Sequence, residues 1–357
     1  MALILSNAEV EQVLNMDMCL EAMENAFLDL GQGRATNRPR THSYTPLGPD
    51  AFYLFKSMDG ALPRYGVHAI RLSSDHLIDK TVDGKRRQEK LPKAPGGKFL
   101  GLVLLFSIDT LELLAILQDG FLQKMRVGAT SGLAAKYLSR EDSRVLGLFG
   151  TGWQADAQVL AHCAVRPIEL VKVCSPSRQH REELCASLLG RVDAELRPVS
   201  EPREVVSGSD IVACATNSLE PVFDGTWLAP GQHVNSLQRG ELDETVHDRA
   251  DFIVTRAWEA SQHFAPPGGG PTQMKMMDSF KPEWGSKLRQ LGEIVAGVAH
   301  GRETPEQITL FGGSGTGPSS GLGIQFAAVG ALIYQESRKR GLGYEVPSEL
   351  FLEDVHP

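Results

Sequence analysis

The stretch from residue 145 to residue 155 decides the fold: Val145-Leu-Gly-Leu-Phe149 is followed at once by Gly150-Thr-Gly-Trp-Gln-Ala155. The first segment is a short apolar run typical of a buried strand, and a helical pattern opens with the second. Glycines two residues apart with a small residue three positions later form a dinucleotide fingerprint, G-x-G-x-x-A. The glycines permit a tight turn and close approach of a pyrophosphate, which the helix N-terminus attracts. The predicted cofactor contacts are Gly150, Thr151, Gly152, Trp153 and Gln154.

Strands continue to alternate with helices on the carboxyl side of this motif. Strands are predicted at 170–174, 195–199, 210–216, 233–237 and 251–255, and residues 178–190 have helical periodicity. This alternation favours a parallel, doubly wound α/β sheet of the Rossmann type. Ligands lie at the carboxyl ends of the strands in such sheets. The candidate contacts at these ends are Thr216, Asn217, Asn235, Ser236 and Leu237.

The end of the second strand bears on the choice between NAD(H) and NADP(H). An acidic residue there would bind a ribose 2′-hydroxyl, but this chain has Cys174-Ser-Pro-Ser-Arg178. The hydroxyls of Ser175 and Ser177 and the guanidinium of Arg178 suit a 2′-phosphate. NADP(H) is therefore favoured over NAD(H). The alternative is that Arg178 is a solvated residue in the first turn of a helix.

The flanking sequence predicts a second α/β unit. Residues 8–30 and 121–138 have helical periodicity, 34–48 look irregular, and strand-like runs occur at 51–55, 66–72, 100–108 and 111–117. An apolar helix from about 324 to 340 must bury its face, and we expect it to pack on the N-terminal unit. The predicted organisation is a Rossmann domain over 125–317, inserted into a smaller domain made of 1–124 and 318–357.

Composition narrows the class of protein. The 357 residues carry a net charge of −8, which disfavours a polyanionic partner such as nucleic acid. The densest basic stretch, Lys85-Arg-Arg87 with Lys90 and Lys93, is expected in a Gly/Pro-rich loop. Apolar runs stay shorter than a membrane span needs, and the N-terminus does not resemble a signal peptide. Five widely spaced cysteines favour a cytoplasmic protein without disulfides or a metal site.

Several independent segments resemble one family in their order and spacing. They are Met125-Arg-Val-Gly-Ala-Thr-Ser-Gly-Leu-Ala-Ala-Lys-Tyr-Leu138, the fingerprint with its strand, Asp210-Ile-Val-Ala-Cys-Ala-Thr216, Pro221, Trp227-Leu-Ala-Pro-Gly231 and His233-Val-Asn235. The chain resembles the ornithine cyclodeaminase/mu-crystallin family over nearly its whole length. The resemblance implies a Rossmann domain inserted in an α/β dimerisation and substrate domain, and a homodimer.

The resemblance also implies how a substrate carboxylate is held. The family uses arginines, and Arg126 stands where the family has one, at the start of the helix before the Rossmann domain. A guanidinium aimed into a cleft binds a carboxylate through two parallel hydrogen bonds. Arg38 and Arg40 are both candidates for a second arginine, with a preference for Arg40. The alternatives are a surface helix for Arg126 and a surface loop for the other two.

One departure from the family concerns its lysine in the N-terminal sheet. That lysine falls at His68 in Gly66-Val-His-Ala-Ile-Arg71. Histidine suits a proton donor because its pKa lies near neutrality. Alternatively, Arg71 fills the space and His68 is an ordinary strand residue.

A second departure concerns the loop after residue 237, where cyclodeaminases carry an aspartate. The loop is short here, and Glu241 and Asp243 are expected to belong to a structural segment further along. Without a carboxylate that interacts with the substrate amine, the hypothesis of a cyclodeaminase is less well supported.

Further contacts are implied by position in the family. Ser314, in the glycine-rich segment 311–323, falls near the nicotinamide, Thr130 is a candidate cofactor contact, and Lys98 is a weaker one. The segment Gly313-Ser-Gly-Thr-Gly317 runs into Pro318 rather than a helix, so it is expected to be a loop and not a second fingerprint.

Three functions are consistent with these residues. The first is an NAD(P)H-dependent imine or ketimine reductase, or equivalently an amino-acid dehydrogenase, acting on a small imine, amine or amino acid. The second is a cyclodeaminase-type lyase that recycles NAD. The third is a mu-crystallin-like protein that binds NADPH without turnover. Net consumption of NADPH separates the first from the other two.

Overall fold

A computed structural model describes residues 1–82, 85–258, 261–267, 281–312 and 321–355. The strands are β1 Ala2–Leu5, β2 Thr36–Asn37, β3 Thr41–Gly48, β4 Ala51–Leu62, β5 Val67–Val82, β6 Lys85–Leu91, β7 Leu100–Ser107, β8 Leu113–Gln118, β9 Val145–Phe149, β10 Leu170–Cys174, β11 Glu195–Val199, β12 Ile211–Cys214, β13 His233–Ser236, β14 Phe252–Thr255, β15 Gln262–Phe264, β16 Leu288–Gln290, β17 Thr309–Phe311 and β18 Tyr344–Val346. The helices are α1 Asn7–Val13, α2 Met16–Gly31, α3 Gly120–Leu138, α4 Ala155–Val165, α5 Arg178–Leu188, α6 Pro202–Val206, α7 Glu244–Arg249, α8 Leu291–Val295 and α9 Gly323–Arg340.

The doubly wound sheet predicted from the fingerprint is confirmed. Its strand order is β11-β10-β9-β12-β13-β17-β14-β16, and every pairing is parallel. Apolar clusters cover both faces, as a sheet of this kind requires. The chain order reverses between β9 and β12, and at such a switch point the carboxyl ends open a crevice for a ligand.

The second sheet is mainly antiparallel, in the order β15-β3-β4-β5-β7-β8-β1-β18, with β2 on β4 and β6 on β5. Helices α2, α3 and α9 pack on its inner face around one apolar cluster. The apolar helix expected at 324–340 is α9, and it contacts β4 and β5 as predicted. Gly323 permits this packing, because a Cβ there would overlap the backbone of Asp59.

Local structure differs from the sequence-based expectations in three places. The helix expected over 8–30 is divided into α1 and α2, because Asn15 caps α2 by accepting a hydrogen bond from the Met18 amide at 2.9 Å. Residues 41–48, expected to be irregular, form β3. The basic segment 85–91, expected in a loop, is strand β6, since its backbone pairs with β5 along seven register positions.

Helix α3 leads from the antiparallel sheet into the parallel one, and its residues lie against both. Strand β15, which follows β14 in the chain, pairs with β3 of the antiparallel sheet. The two sheets are therefore joined at several points along the sequence. Among the described helices, none is long and apolar enough to cross a membrane.

Candidate functional site

A groove of about 750 Å³ opens at the carboxyl ends of the parallel strands. Its residues lie at or beyond the ends of β9, β10, β11, β12 and β13, and one comes from β6 of the other sheet. They are Arg87, Phe149, Gly150, Thr151, Gly152, Trp153, Gln154, Cys174, Ser175, Pro176, Ser177, His180, Ser200, Pro202, Ala215, Thr216, Asn217, Ser218, Val222, Leu237 and Gln238. All five fingerprint residues thus line the groove, as the sequence predicts.

The two fingerprint glycines have different physical roles. Gly150 has φ of +101°, and a Cβ there would overlap the carbonyl of Ala215, so the turn requires glycine. A Cβ at Gly152 would meet no heavy atom within 4 Å, so its space is open to the groove. Helix α4 begins just beyond, and the side chain of Gln154 does not cap its first amides. Free amides beside an open backbone fit a pyrophosphate.

The corner beyond β10 contains the residues expected to select the cofactor. Ser175, Ser177 and His180 line it, together with Arg87, whose backbone bridges to Ser218. The groove-lining residues include no aspartate or glutamate. Arg178 does not line the groove in this structure: its exposed guanidinium donates to Glu182 at 2.7 Å, one turn along α5, so a contact between Arg178 and the cofactor stays a prediction. Arg87 occupies the corner instead.

A buried glutamate ties the ends of β12 and β13 together. Glu241 accepts hydrogen bonds from the Thr216 amide and hydroxyl at 2.5 and 2.7 Å and from the Ser236 hydroxyl at 2.8 Å. Burial raises the pKa of Glu241. Asp243 caps α7 through the Val246 amide. Both acidic residues therefore have structural roles, as the sequence predicts.

Three of the expected cofactor contacts lie beneath the groove rather than in it. Ser236 is held by Glu241, and Asn235 donates to Gln158 at 3.2 Å. Thr130 donates to the carbonyl of Arg126 inside α3. All three are fully buried, because their strand or helix packs against a neighbouring element at that point. Ser314 and residues 313–320 lie outside the described residues.

A second group of polar residues lies on the inner face of the antiparallel sheet. His42, Lys56, Ser73 and Gly101 stand opposite one another in register across four strands, and His263 of β15 pairs with His42. Side chains of paired residues point to the same face. The row is therefore a polar strip within an otherwise apolar interior.

Five basic residues, four of them buried and Arg40 partly buried, lie along this strip and on the elements that cover it. We call them the cationic cluster: Arg40, Lys56, Arg71, Arg126 and Arg256. Arg71 and Arg126 flank one ring, with guanidinium carbons 6.0 and 4.7 Å from the Phe326 centroid. Arg256 lies 4.5 Å from the Phe311 centroid. The cluster thus reaches from the antiparallel sheet to the carboxyl end of β17.

Two of the five cations are neutralised within the protein. Arg71 donates to Asp119 at 2.5 Å, and Gly101 leaves the space that this carboxylate fills. Lys56 lies 2.7 Å from Asp75, which also contacts Lys90 at 3.1 Å. Asp75 therefore forms ion pairs with two lysines.

The other three cations have no carboxylate partner among the described residues. Arg126 donates to the neutral Gln325 at 2.9 Å, and its Nε is buried without a hydrogen bond. Arg40 Nε is buried in the same way. Burial lowers the pKa of Arg40 and of Arg256 to about 10, so both stay charged at neutral pH. Such guanidinium groups are suited to hold an anionic ligand.

The remaining two candidates lie elsewhere. His68 is three residues from Arg71 on β5, so it points to the opposite face of the sheet. Its Nε2 is 3.3 Å from Asp59, whose other oxygen pairs with the exposed Arg38. The alternation of the strand places Arg71 in the cluster and His68 outside it, which favours the predicted alternative that Arg71 fills the position of the family lysine. Arg40, not Arg38, joins the cluster.

Comparison with known proteins agrees with this arrangement. Residues 1–341 match the model of the ornithine cyclodeaminase/mu-crystallin family. The chain belongs to this family.

Solved relatives share the fold of the whole chain. The Δ1-pyrroline-2-carboxylate reductase of Thermococcus litoralis, solved with NADH and L-proline, is 30% identical with a TM-score of 0.77, covering 96% of this chain and all of the relative. An archaeal alanine dehydrogenase dimer with bound NAD is 25% identical with a TM-score of 0.76, covering 97% and 99%. Alanine dehydrogenase of Archaeoglobus fulgidus is 27% identical, covering 96% and 98%.

Three residues of the site were not predicted from the sequence. Lys56 and Arg256 carry no motif. Only the pairing of β4 places Lys56 near Arg40, and only the position of β14 places Arg256 near Arg126. Arg87 was assigned to a loop. The side of the sheet on which Arg87 lies follows from the alternation of side chains along β5 and β6, but this alternation can be assigned only when the pairing of the two strands is known.

Proposed function

We propose that this protein is an NAD(P)H-dependent oxidoreductase that reduces a C=N bond, as an imine or ketimine reductase or as an amino-acid dehydrogenase in reverse. The observation that carries the proposal is the combination of a fingerprint groove with three buried arginines that have no carboxylate partner in the described chain. Relatives named for reductase and dehydrogenase activities support it.

In this proposal, the residues of the chain itself bind the substrate and orient it. Arg126 and Arg40 hold the substrate carboxylate, since each presents a buried Nε without a partner. Arg71, fixed by Asp119, supports the same charge. A bound nicotinamide supplies the hydride, and the protein contributes alignment within a water-poor site. His68 has no place in this scheme because it faces Asp59 on the other side of β5.

A lyase is less well supported. A cyclodeaminase needs a carboxylate to manage the substrate amine, and the acidic residues after β13 are committed elsewhere. Glu241 is saturated by donors from β12 and β13, and Asp243 caps α7. This commitment favours net reduction over deamination.

The proposal is tested by NADPH and NADH oxidation at 340 nm with cyclic imines and with 2-oxo acids plus amines. Turnover is expected, and Arg126→Gln should lower kcat/KM at least 100-fold because a buried carboxylate contact is lost. Ammonia release from ornithine without net NADPH consumption would instead indicate the lyase. Tight NADPH binding without turnover on any substrate would indicate a binding protein.

We further propose that NADP(H) is preferred over NAD(H). The corner beyond β10 has hydroxyls, His180 and Arg87, and its groove-lining residues include no carboxylate. Arg87→Ala should weaken NADPH binding about tenfold and leave NADH binding nearly unchanged, since the lost guanidinium would pair with the 2′-phosphate. Arg178→Ala is the matched control and should change neither dissociation constant. Equal affinities of the wild type for the two cofactors would contradict the preference.

The domain boundaries at residues 124 and 317 remain part of this proposal, as does a homodimer. The outer face of the antiparallel sheet exposes Tyr53, Phe55 and Leu100, and a second copy is the partner that would cover it. Phe55→Glu is expected to shift the sedimentation mass from that of a dimer to that of a monomer. The five unpaired cysteines fit a cytoplasmic setting.

A further inference from the structure

The positive charge of the cationic cluster is larger than the charge of a single substrate carboxylate could neutralise. Asp119 neutralises Arg71, and Asp75 is shared between Lys56 and Lys90. Arg40, Arg126 and Arg256 add three charges without a carboxylate partner among the described residues. Buried charges are costly unless they are paired, so this region is built for more than one negative charge.

The cluster is elongated rather than compact. Arg126 lies within electrostatic range of Arg256 at one end, and of Arg71 and Arg40 at the middle. Lys56 lies within range of Arg40 and Arg71 but belongs to the far end, where Lys90 approaches it. The positive charges therefore form a path that runs from β14 and α3 toward the strip on β3 and β4.

The far end of the cluster contains polar atoms that have no hydrogen-bond partner among the described residues. His42 is 4% exposed, and its Nε2 has no hydrogen-bond partner among the described residues. Its Nδ1 is 3.0 Å from the ring of His263. Burial and the nearby cations lower the pKa of His42, so its ring is neutral and can donate one hydrogen bond. Arg40 Nε and the remaining Lys56 protons complete a set of donors.

We propose that the substrate carries a second carboxylate, bound at the far end of the cluster by Lys56 and His42, with Arg40 between the two carboxylates. The inference rests on the proposed function, in which Arg126 and Arg40 hold the first carboxylate, and it deepens that function by naming the substrate class. That class is 2-imino or 2-amino dicarboxylic acids. With a neutral or cationic side chain, the substrate would bring only one carboxylate to the three arginines that lack one among the described residues, Arg40, Arg126 and Arg256.

The first test uses the wild-type protein saturated with NADP⁺ and measures binding by isothermal titration calorimetry. The probes are 2-oxoglutarate, 2-oxopentanoate and 2-oxoglutaramate, which share a five-carbon backbone and differ in the terminal group. The dicarboxylate is expected to bind at least tenfold tighter than both others. Equal affinity for the three probes overturns the inference, and no variant is needed to obtain that result.

The second test locates the subsite. Lys56→Gln should reduce the dicarboxylate preference to less than threefold while changing the affinity for 2-oxopentanoate less than threefold. Lys56→Met, similar in volume, serves if the first variant fails to fold. Lys80→Gln is the control, because Lys80 pairs with Glu89 on the exposed hairpin of the same sheet. A preference retained in both Lys56 variants overturns the assignment.

The failure of this inference is distinguishable from failure of the proposed function. Tight dicarboxylate binding without NADPH oxidation, when ammonia is added, leaves the subsite supported and removes the reductase. Reduction of monocarboxylic imines with no dicarboxylate preference leaves the reductase and removes the subsite.

Discussion

At the scale of single residues, the two fingerprint glycines differ in whether the fold itself requires glycine. Gly150 is required by the fold, since its φ is positive and a Cβ would strike Ala215. Gly152 is not, since a Cβ there would meet no protein atom within 4 Å. The space at Gly152 is therefore open to the groove, where we propose that the cofactor binds.

Alanine at these positions separates folding from binding. Gly152→Ala is expected to change the free energy of unfolding by less than about 1 kcal/mol, yet to weaken NADPH binding at least tenfold, because the methyl group enters the groove. Gly150→Ala should destabilise the protein by about 1–3 kcal/mol through backbone strain. Urea unfolding and fluorescence titration with NADPH measure the two effects. Undiminished NADPH affinity in Gly152→Ala would contradict this account of the groove.

Sequence reasoning at the residue scale succeeded where a motif is local. The fingerprint is contiguous, and its five residues line the groove. It did not place the side chains of Arg178 and His68, since neither helix phase nor strand phase was known to one residue. A shift of one position on a strand moves a side chain to the other face.

At the scale of elements, periodicity predicted the buried strands well. Strands β9 and β10 match the predicted runs residue for residue, because both faces of the sheet are covered there and nearly every position is apolar. The edge strand β11 has the predicted bounds as well, although Glu195 and Arg197 make it partly polar. Strands β3 and β6 were missed because they lie near a sheet margin. Lysine and arginine in β6 and a proline in β3 are the residues that edge strands tolerate.

At the scale of the whole molecule, the cationic cluster could not be predicted from sequence spacing. Its members come from β4, β5, α3 and the segments beside β3 and β14, so no local window contains two of them at a diagnostic interval. Only the family resemblance pointed to Arg126, Arg40 and, as the alternative to His68, Arg71. The pairing of strands and the packing of α9 then brought Lys56 and Arg256 to the same region.

Buried histidines predict how the stability of the whole fold depends on pH. His162 is fully buried in α4, its Nδ1 is 2.7 Å from the Gln158 carbonyl, and burial with nearby Arg166 lowers its pKa to about 4. The pKa of buried His233 is lowered as well. Because unfolded histidine titrates near 6.5, the unfolded state binds more protons below that pH. Stability should be complete above pH 6.5 and lost as pH falls toward 4.

The contribution of His162 is measurable by a double difference. Between pH 7.5 and pH 5.0, His162 alone should remove about 2 kcal/mol of the free energy of unfolding. His162→Gln cannot titrate in this range, so its stability should fall by about 2 kcal/mol less than that of the wild type. Urea unfolding of both proteins at the two pH values gives the comparison, and other groups cancel between them. Equal losses would mean that His162 is not held neutral by the fold.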